Sequence, residues 1–573
     1  MIYRFGEFVV DTLRAEMRLA GKAVPLRRQS FDVLVYLLQR PHRIVSKDEL
    51  LDAVWGDKVV TDGSLKHCLM EIRAAVGDHD RKLIRTVARR GYILEAPITK
   101  EAVAEDDRVS VLVAPISCHS GDCEYMADGL TEDIITQLSK VPSLRVIARA
   151  SAMRLKGSGN GLPDIARRLS VDFILDGSVR KWGDKLRVVL QLRHLDSNDA
   201  RWSESYNGTL GNLFEIQDKI AHSVADELAM NLGTPETAND DELEDPRAVE
   251  SYLRARYETL KFSREGLQQA ERHVLNALEL VGPNARLLAA LGHAYAKHHE
   301  LGLDPTGEFA EKAAECVEKI FELDPRSPRG YLLLGIVRFF SGDLRAAREP
   351  LERSLEANPN DPDALVILGY LYALSGHNER AAQLFDEVLD IDPLTPLNHC
   401  MPGFVAVMEG RYADALPHYR RFLELDPQNP FALWTWSYVL LRNGKQDKAS
   451  QVVRELNSEY AGSTLAQLGA ALFHGVRGER EAAREAVTDE LRAAARNSEL
   501  LSRELTHCLA LAGETDEALS WLENTVRIGN VNYPFWSRHN DWVASLRTDP
   551  RFEALMKKMK QEWGNWGRTD LNH

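Results

Sequence analysis

The sequence predicts a multidomain chain with three folds in succession: an α+β domain, an α/β domain and an all-α solenoid of repeated helix pairs. Three observations support this prediction. The net charge changes sign along the chain, the spacing of apolar residues differs between regions, and a 34-residue repeat fills much of the second half. Polar, acidic stretches at residues 98–107 and 233–246 separate the regions. The predicted domains are therefore residues 1–97, 108–232 and 247–560.

The chain as a whole is acidic, but its first domain is basic. The formal net charge is −15 over 573 residues, whereas residues 1–97 carry 17 Lys or Arg against 13 Asp or Glu. Overall acidity of this size argues against a generic nucleic-acid or membrane-surface binder. Since the first domain has a net charge of +4, any contact of the chain with DNA is expected there.

Cysteine usage and hydropathy predict the compartment. The six cysteines are scattered and form no CxxC pair, which fits a reducing environment and argues against a zinc site. The first residues lack the basic start and apolar core of a signal peptide. The most apolar window, residues 431–441, is shorter than the roughly 18 residues that span a bilayer. We therefore expect a cytoplasmic protein without a membrane segment.

The first domain opens with short alternating apolar runs broken by glycines, which predict a small antiparallel sheet. Apolar residues of a first helix then recur at three- and four-residue spacing: Phe31, Leu34, Leu37 and Leu38. Ser46 and Glu49 form a capping box that opens a second helix, and a third helix runs from about Asp62 to Val76. The segment LIRTVARRGYILEA that follows predicts a hairpin. A sheet, three helices and a terminal hairpin together predict a winged helix-turn-helix.

The third helix has one apolar and one polar face. Its apolar residues fall within a narrow arc at 100° per residue and face the core: Leu65, Leu69, Ile72 and Val76. The opposite face presents Gly63, Lys66, His67, Met70 and Ala74. The segments VTDGSLKHCLMEIRAAVGD and TVARRGY resemble the OmpR/PhoB-type winged-helix domain of transcriptional regulators, in the HilA/CadC-like subgroup.

This resemblance implies that the third helix lies in the major groove of DNA and that the hairpin, or wing, reaches the adjacent minor groove. The residues implied in DNA binding lie on both elements: Thr61, Ser64, Lys66, His67, Met70 and Arg73 on the helix, and Arg85, Thr86, Arg89 and Arg90 on the wing.

The sequence departs from the family at Glu71, where members often carry a basic residue that contacts bases. Lys66 and Arg73 on the helix are balanced by Asp62 and Glu71, so base reading is expected to be weak or unusual. Attraction to phosphates must then come from cations outside the helix: Arg27, Arg28, Arg40, Arg43, Lys47, Arg81, Lys82, Arg85, Arg89 and Arg90. The alternative is that these residues only keep a helical domain in solution.

The second region alternates strand and helix patterns, and its continuous apolar strands suit a buried, mostly parallel sheet with an added hairpin. The segments ADGLTEDI, LDGSVRK and LFEIQDKIA resemble a TolB-like segment that joins DNA-binding or cyclase domains to repeat arrays in bacterial regulators. Asp128, Glu132 and Asp133 suggest either a metal site or the acidic start of a helix, and we favour the latter. Cys118, His119 and Cys123 lie close together, but CHSGDC is not a usual spacing for metal ligands, and we favour a loop cysteine pair. We predict no metal, cofactor or catalytic residue.

The third region repeats with a fixed step. Prolines, glycines and alanines recur every 34 residues: Pro325, Pro359, Pro393 and Pro427; Gly342, Gly376, Gly410, Gly444 and Gly478; Ala347, Ala381, Ala415, Ala449 and Ala483. The step and the small residues resemble the tetratricopeptide repeat, of which about eight units with a C-terminal cap are expected. The concave face of such a superhelix binds peptides or partner helices. Aromatic side chains on the first helices could line that face or the core between repeats: Tyr370, Tyr372, Trp434, Trp436 and Tyr438.

Together these patterns predict a DNA-binding transcriptional regulator and not an enzyme. The winged helix would bind double-stranded promoter DNA, while the other regions sense a signal or bind partner proteins, with RNA polymerase and self-association among the options. The winged-helix pattern starts at residue 1, so we expect no receiver domain and no control by its phosphorylation, and no transmembrane sensing. The alternatives are a repeat-based adaptor in a regulatory complex and, more remotely, a nucleotide-processing enzyme.

Overall fold

The structure is a computed structural model in which the chain divides into two compact units, Met1–Arg108 and Val109–His573. It describes residues 2–566 with gaps at 6–7, 12–15, 20–21, 25, 39, 41–42, 56–61, 79, 81, 88–89, 97–98, 102–107, 119–122, 157–161, 196–199, 229–242, 262 and 301–306.

The first unit has the predicted sheet, three helices and hairpin. Its strands and helices are β1 Ile2–Phe5, β2 Phe8–Asp11, β3 Glu16–Leu19, β4 Lys22–Val24, α1 Arg28–Leu38, α2 Lys47–Trp55, α3 Asp62–Ala75, β5 Ile84–Val87, β6 Gly91–Leu94 and β7 Thr99–Glu101. An antiparallel sheet has the order β4-β3-β2-β1-β7, and β5 and β6 pair separately as the wing. The strand β7 lies in the stretch 98–107 that the sequence indicated as a linker. Its residues are polar in sequence, but its backbone pairs with β1.

The core of the first unit forms where α1 and α3 bury the apolar faces predicted for them. Phe31, Leu34, Leu37 and Leu38 of α1 are buried together with Leu65, Leu69 and Ile72 of α3. The helix α3 is followed by Gly77, whose φ of +68° is a conformation that favours glycine.

The second unit begins with the predicted α/β fold. Its elements are β8 Val109–Val113, β9 Ser117–Cys118, α4 Glu124–Ser139, β10 Leu144–Val146, α5 Arg149–Met153, α6 Leu162–Arg168, β11 Phe173–Trp182, β12 Lys185–His194, β13 Ala200–Thr209 and α7 Leu213–Glu227. The sheet order is β10-β8-β11-β12-β13, with β9 also paired to β11. Strands β10, β8, β9 and β11 are parallel, whereas β12 and β13 form the antiparallel hairpin expected from the sequence.

Helix pairs fill the rest of the second unit. The helices are α8 Pro246–Thr259, α9 Arg264–Val281, α10 Ala285–Glu300, α11 Glu308–Leu323, α12 Pro328–Phe340, α13 Leu344–Ala357, α14 Pro362–Leu374, α15 Asn378–Ile391, α16 Met401–Met408, α17 Tyr412–Leu425, α18 Pro430–Arg442, α19 Gln446–Glu459, α20 Thr464–Val476, α21 Arg480–Glu485, α22 Asp489–Ala495, α23 Glu499–Ala512, α24 Thr515–Ile528 and α25 Pro550–Asn565. The repeated glycines end the first helix of each pair with φ between +67° and +76°, which explains their regular spacing.

The α/β fold and the repeats share one core, although the sequence predicted separate domains at 108–232 and 247–560. Apolar residues from the sheet, from α4 and α7 and from helices α8 to α12 form one buried cluster. Asn360 between two repeats donates its side-chain amide to the carbonyl oxygens of Ser139, at 3.0 Å, and Leu144, at 3.4 Å. Ser151 donates to Asp392 at 2.6 Å. These buried polar contacts add directional pairing to the shared apolar surface.

Candidate nucleic-acid interface

The helix α3 exposes the face predicted to contact DNA. Lys66, His67 and Met70 are exposed, and Met70 keeps 61% of its surface open to solvent. Ser64 is half-buried at the same end of the helix. An exposed methionine is costly in water, and a flexible apolar side chain suits contact with another surface. Thr61 lies outside the described residues.

Glu71 is engaged within the domain. Its carboxylate accepts a hydrogen bond from the Ser30 hydroxyl at 2.8 Å and from the Arg27 amide at 3.1 Å, and pairs with the Arg27 guanidinium at 3.0 Å. Burial alone would raise the pKa of Glu71, but the Ser30 hydroxyl and Arg27 bring it below its usual value. The same guanidinium lies 3.3 Å from the Nδ1 atom of His67. Glu71 therefore ties the start of α1 to α3, a role that the sequence pattern did not indicate.

Arg73 connects α3 to the wing. Its guanidinium donates to the Ile84 carbonyl oxygen at 2.6 Å and to the Thr86 hydroxyl at 3.0 Å. Both bonds fix strand β5 against the helix, so two predicted DNA contacts, Arg73 and Thr86, are joined to each other. A direct contact of either with DNA stays a prediction.

Asp78 organises the turn that leads from α3 into the wing. One carboxylate oxygen accepts the amides of Lys82, at 2.7 Å, and Leu83, at 2.9 Å, and the other accepts the amide of Ile84 at 2.8 Å. The side chain is buried. A carboxylate that accepts several backbone amides is a strong local anchor. The sequence pattern did not single it out, although Asp is favoured in turns because its side chain bonds nearby backbone amides.

The wing is also bonded to the segment between α1 and α2. Val45 and Tyr92 exchange backbone hydrogen bonds of 2.8 and 2.9 Å. Gly91 has a φ of +136°, and a Cβ atom at this position would lie 2.0 Å from the Val45 carbonyl oxygen. A side chain cannot be accommodated there without moving the backbone. The strand β6 of the hairpin is therefore attached to the segment that precedes α2.

The cations of the domain fall into two groups. Most of those with described side chains are already paired: Arg27 with Glu71, Arg43 with Glu49 at 3.1 Å, Lys82 with Asp80 at 3.2 Å, and Arg85 with Glu95 at 2.6 Å. Lys66 and Arg90 are exposed and have no ion-pair partner among the residues that the structure describes. Arg89 and Arg81 lie outside the described residues. Ser46 accepts the Glu49 amide as predicted, but the Glu49 carboxylate pairs with Arg43 and Tyr36.

The acidic residues of α4 form ion pairs, some within the α/β fold and some with the first helix of the repeat region, α8. The helix begins at Glu124, so Asp128, Glu132 and Asp133 lie beyond its first turn, and the helix-start interpretation was wrong. Arg256 pairs with Glu132 and Asp133 at 2.5 Å each, and Lys156 contacts Asp128 at 2.9 Å. Burial alone would raise the pKa of Glu132, but Arg256 and Arg149 lower it. Among the described residues no group of three or more His, Cys, Asp or Glu side chains is arranged to hold a metal ion.

The two cysteines predicted to pair form a disulfide, which differs from the free thiols that a reducing environment favours. Cys118 at the end of β9 is bonded to Cys123, immediately before α4, with 5.9 Å between their Cα atoms. The remaining four cysteines are buried thiols.

The C-terminal segment, residues 499–565, packs against the first helices of three repeats, α14, α16 and α18. The Tyr370 hydroxyl donates to Glu499 at 2.7 Å, and the Arg503 guanidinium lies 5.7 Å from the Phe404 ring. The Trp542 ring packs edge-on against Tyr438 at 5.3 Å. Tyr370, Phe404 and Tyr438 thus contact residues of the same chain, which the sequence could not reveal because these contacts join residues about 100 positions apart.

Comparison with known proteins agrees with this architecture. Residues 21–94 match the family described as "Transcriptional regulatory protein, C terminal", and residues 332–396 and 405–463 match the tetratricopeptide repeat. The chain thus carries an OmpR/PhoB-type winged-helix domain and tetratricopeptide repeats. No helix in the described residues is long and apolar enough to span a membrane.

Among individual relatives, the transcriptional regulator HilA of Salmonella typhi is 24% identical over 342 residues, which cover 58% of this chain and 60% of HilA. A putative adenylate cyclase 3 of Rhizobium meliloti is 31% identical over 232 residues, 40% of each chain. The matches thus span 40% to 60% of the length of these relatives. The solved DNA-binding domain of Escherichia coli CadC is 30% identical, with 18% of this chain and 96% of that domain covered and a TM-score of 0.17.

Proposed function

We propose that this protein is a transcriptional regulator that binds promoter DNA through α3 and the wing of its first unit. The observation that carries the proposal is the face of α3: Lys66, His67 and Met70 are exposed together on the helix that the family match covers. A helix of this kind enters the major groove and reads base edges, while a neighbouring hairpin contacts the backbone or the minor groove.

In this proposal Lys66 and Arg90 take different tasks. Arg90, at the wing, contributes attraction to phosphate that does not depend on sequence, together with Arg89. Lys66, on the helix, lies where base edges are read and therefore affects which site is preferred. The paired cations, such as Arg43 and Arg85, contact phosphates only by exchanging a carboxylate partner. Such exchange costs little because exposed ion pairs contribute only about 0–1 kcal/mol.

Glu71 and Arg73 are proposed to position the interface. Glu71 holds the first helix and Arg73 holds the wing, so both set the distance between the elements that approach DNA. The negative charge of Glu71 is balanced by Arg27 at 3.0 Å. The helix can therefore still read bases although it carries this acidic residue.

The second unit is proposed to act through protein partners and without catalysis of its own. Tetratricopeptide repeats are interaction modules, and the carboxylates of α4 are committed to ion pairs with Arg256, Arg149 and Lys156. RNA polymerase and a second copy of the chain are the partners to test first. The cyclase-named relative makes one control necessary: the full chain incubated with ATP and Mg²⁺ should form no cyclic AMP, and its formation would contradict this part of the proposal.

The DNA proposal is tested on sites that the protein itself selects. The full chain is used to select fragments from the genomic DNA of its source, and the enriched fragment is then titrated by fluorescence anisotropy at several salt concentrations. We expect binding that weakens steeply with salt, a uniform loss with Arg89→Ala plus Arg90→Ala, and a changed site preference with Lys66→Ala or His67→Ala. Enrichment of no fragment, with intact binding to a protein partner, would instead favour the adaptor function.

A further inference from the structure

The strand β13 forms an open edge of the sheet in the second unit. Within the described part of the chain, β12 pairs with one side of β13 and no strand pairs with the other. The strand is ten residues long, and Ser203, Ser205 and Asn207 on it are exposed. Proteins usually shorten, charge or cover such edges because the unpaired backbone groups bind other strands. A long open edge therefore indicates a surface that can pair with an added strand.

The direction of the free backbone groups follows from the register. The Leu210 amide, just after the strand, donates to the Asp184 carbonyl at 3.1 Å and so points toward β12. In an antiparallel ladder the amides alternate, so those of Ser203, Ser205 and Asn207 point away from β12. The Thr209 amide fits this alternation, since it turns outward to the Asn212 side chain at 2.7 Å. Three successive outward pairs of N–H and C=O groups are thus available to an extended peptide.

A groove runs beside this edge, between β13 and α7, with a volume of about 540 Å³. Its lining residues come from the strand and from one stripe of the helix: Glu204, Tyr206, Glu215, Asp218, Lys219, His222, Ser223 and Asp226. The Tyr206 side chain links the strand to the helix, since its hydroxyl is hydrogen-bonded to Ser223 at 3.0 Å and to Glu204 at 2.8 Å. Gly208 lets the strand approach the helix, since a Cβ atom there would lie 2.5 Å from Ile216. An edge strand beside a helix-lined groove is the arrangement that binds peptides by strand addition.

The groove is strongly acidic. Its lining has four carboxylates against one lysine, and Glu204, Glu215 and Asp226 are exposed. Lys219 contacts Glu215 at 3.4 Å, which leaves most of the negative charge uncompensated in the groove. Side chains of an added strand point to the same face at every second residue. Cationic side chains at alternate positions would therefore meet these carboxylates.

We propose that the β13 edge and its groove bind an extended segment of a partner protein that carries Lys or Arg at alternate positions. This inference does not depend on DNA binding by the first unit. It also gives the second unit a partner site other than the first helices of the repeats, of which α14, α16 and α18 contact the C-terminal segment. The backbone edge supplies affinity through hydrogen bonds, and the carboxylates select cationic side chains.

The probe is a fluorescein-labelled decapeptide of alternating lysine and valine, titrated into the full chain by anisotropy. Two peptides serve as controls: one with glutamate in place of lysine, and one with the same charge but N-methylated on the residues whose amides would pair with β13. We expect the lysine peptide to bind at least tenfold more tightly than either control. Equal binding of the N-methylated peptide would overturn strand addition, because only ion pairing would remain.

Two variants locate the site. Ser205→Pro removes an outward amide, and Glu215→Lys with Asp226→Lys reverses the charge of the helix stripe without touching the strand. Each should weaken binding at least tenfold. The matched control is Glu485→Lys on the exposed surface of α21, which should change it less than twofold. Unchanged binding in the charge-reversed variant would refute the site. The proposal would also be refuted if Ser205→Pro abolished self-association of the chain and left peptide binding unchanged. The edge would then bind a second copy of the chain and not a partner peptide.

Discussion

Replacing Arg90 by Ala is expected to weaken DNA binding by the same factor for every sequence and to flatten its salt dependence. Arg90 is exposed at the wing and has no ion-pair partner among the described residues. Each phosphate contact contributes about −0.9 to the slope of log K against log salt concentration. Loss of one contact therefore makes the slope shallower by about 0.9. Between about 50 and 200 mM salt the affinity of both proteins falls. The factor of this fall should be about 3.5 times smaller for the variant than for the original chain.

The assay is a series of anisotropy titrations at four or more salt concentrations with one selected DNA fragment. Arg454→Ala is the matched control, since it removes the same charge from an exposed position of α19 in the second unit, and its slope should not change. Arg85→Ala should have a smaller effect than Arg90→Ala, because Arg85 pairs with Glu95 at 2.6 Å. A slope for Arg90→Ala equal to that of Arg454→Ala would refute the assignment of the wing to phosphate contact.

Three further predictions concern stability and its pH dependence. Asp78→Ala removes the acceptor of three backbone amides and should cost about 3 kcal/mol, measured as faster hydrogen exchange at Ile84 and its neighbours. Burial lowers the pKa of His507 to about 4, so the unfolded chain takes up a proton between pH 6.5 and 4 that the native chain does not. The free energy of unfolding of the second unit should fall across that range by up to about 3 kcal/mol, and His507→Gln should remove this fall. Tyr370→Phe leaves the Glu499 carboxylate without one donor and should lower the melting temperature of the second unit, with unchanged DNA affinity.

The sequence predicted the elements of the first unit because their signals are local. The periodicity of Leu65, Leu69 and Ile72 set the buried face of α3, and the exposure of Lys66 and Met70 followed from it. The pairing of Glu71 with Arg27, 44 residues away, could not be predicted, because no periodicity links two surface charges on different elements. The strand β7 was missed for a similar reason, since its pairing depends on β1 at the other end of the domain.

The repeats were predicted from spacing alone, since a glycine with positive φ is required at the same turn of each unit. The placement of the C-terminal segment was not predictable. Glu499, Arg503 and His507 lie within one helix whose pattern looks amphipathic, yet all three are buried. Their burial depends on contacts with residues outside the helix: Tyr370 with Glu499, Phe404 with Arg503 and Asn540 with His507. The joint core of the α/β fold and the repeats depends in the same way on contacts between distant residues, such as Arg256 with Asp133.

Photocrosslinking from α3 tests the central claim most directly. A benzophenone amino acid replaces Met70, which is 61% exposed on the proposed DNA face, and in a control replaces Leu323, which is 45% exposed on a repeat helix. With the selected DNA fragment, we expect an adduct from position 70 that maps to bases within the protected site and is lost in Lys66→Ala plus Arg90→Ala, and no adduct from position 323. DNA crosslinked from position 323 but not from position 70 would contradict the claim.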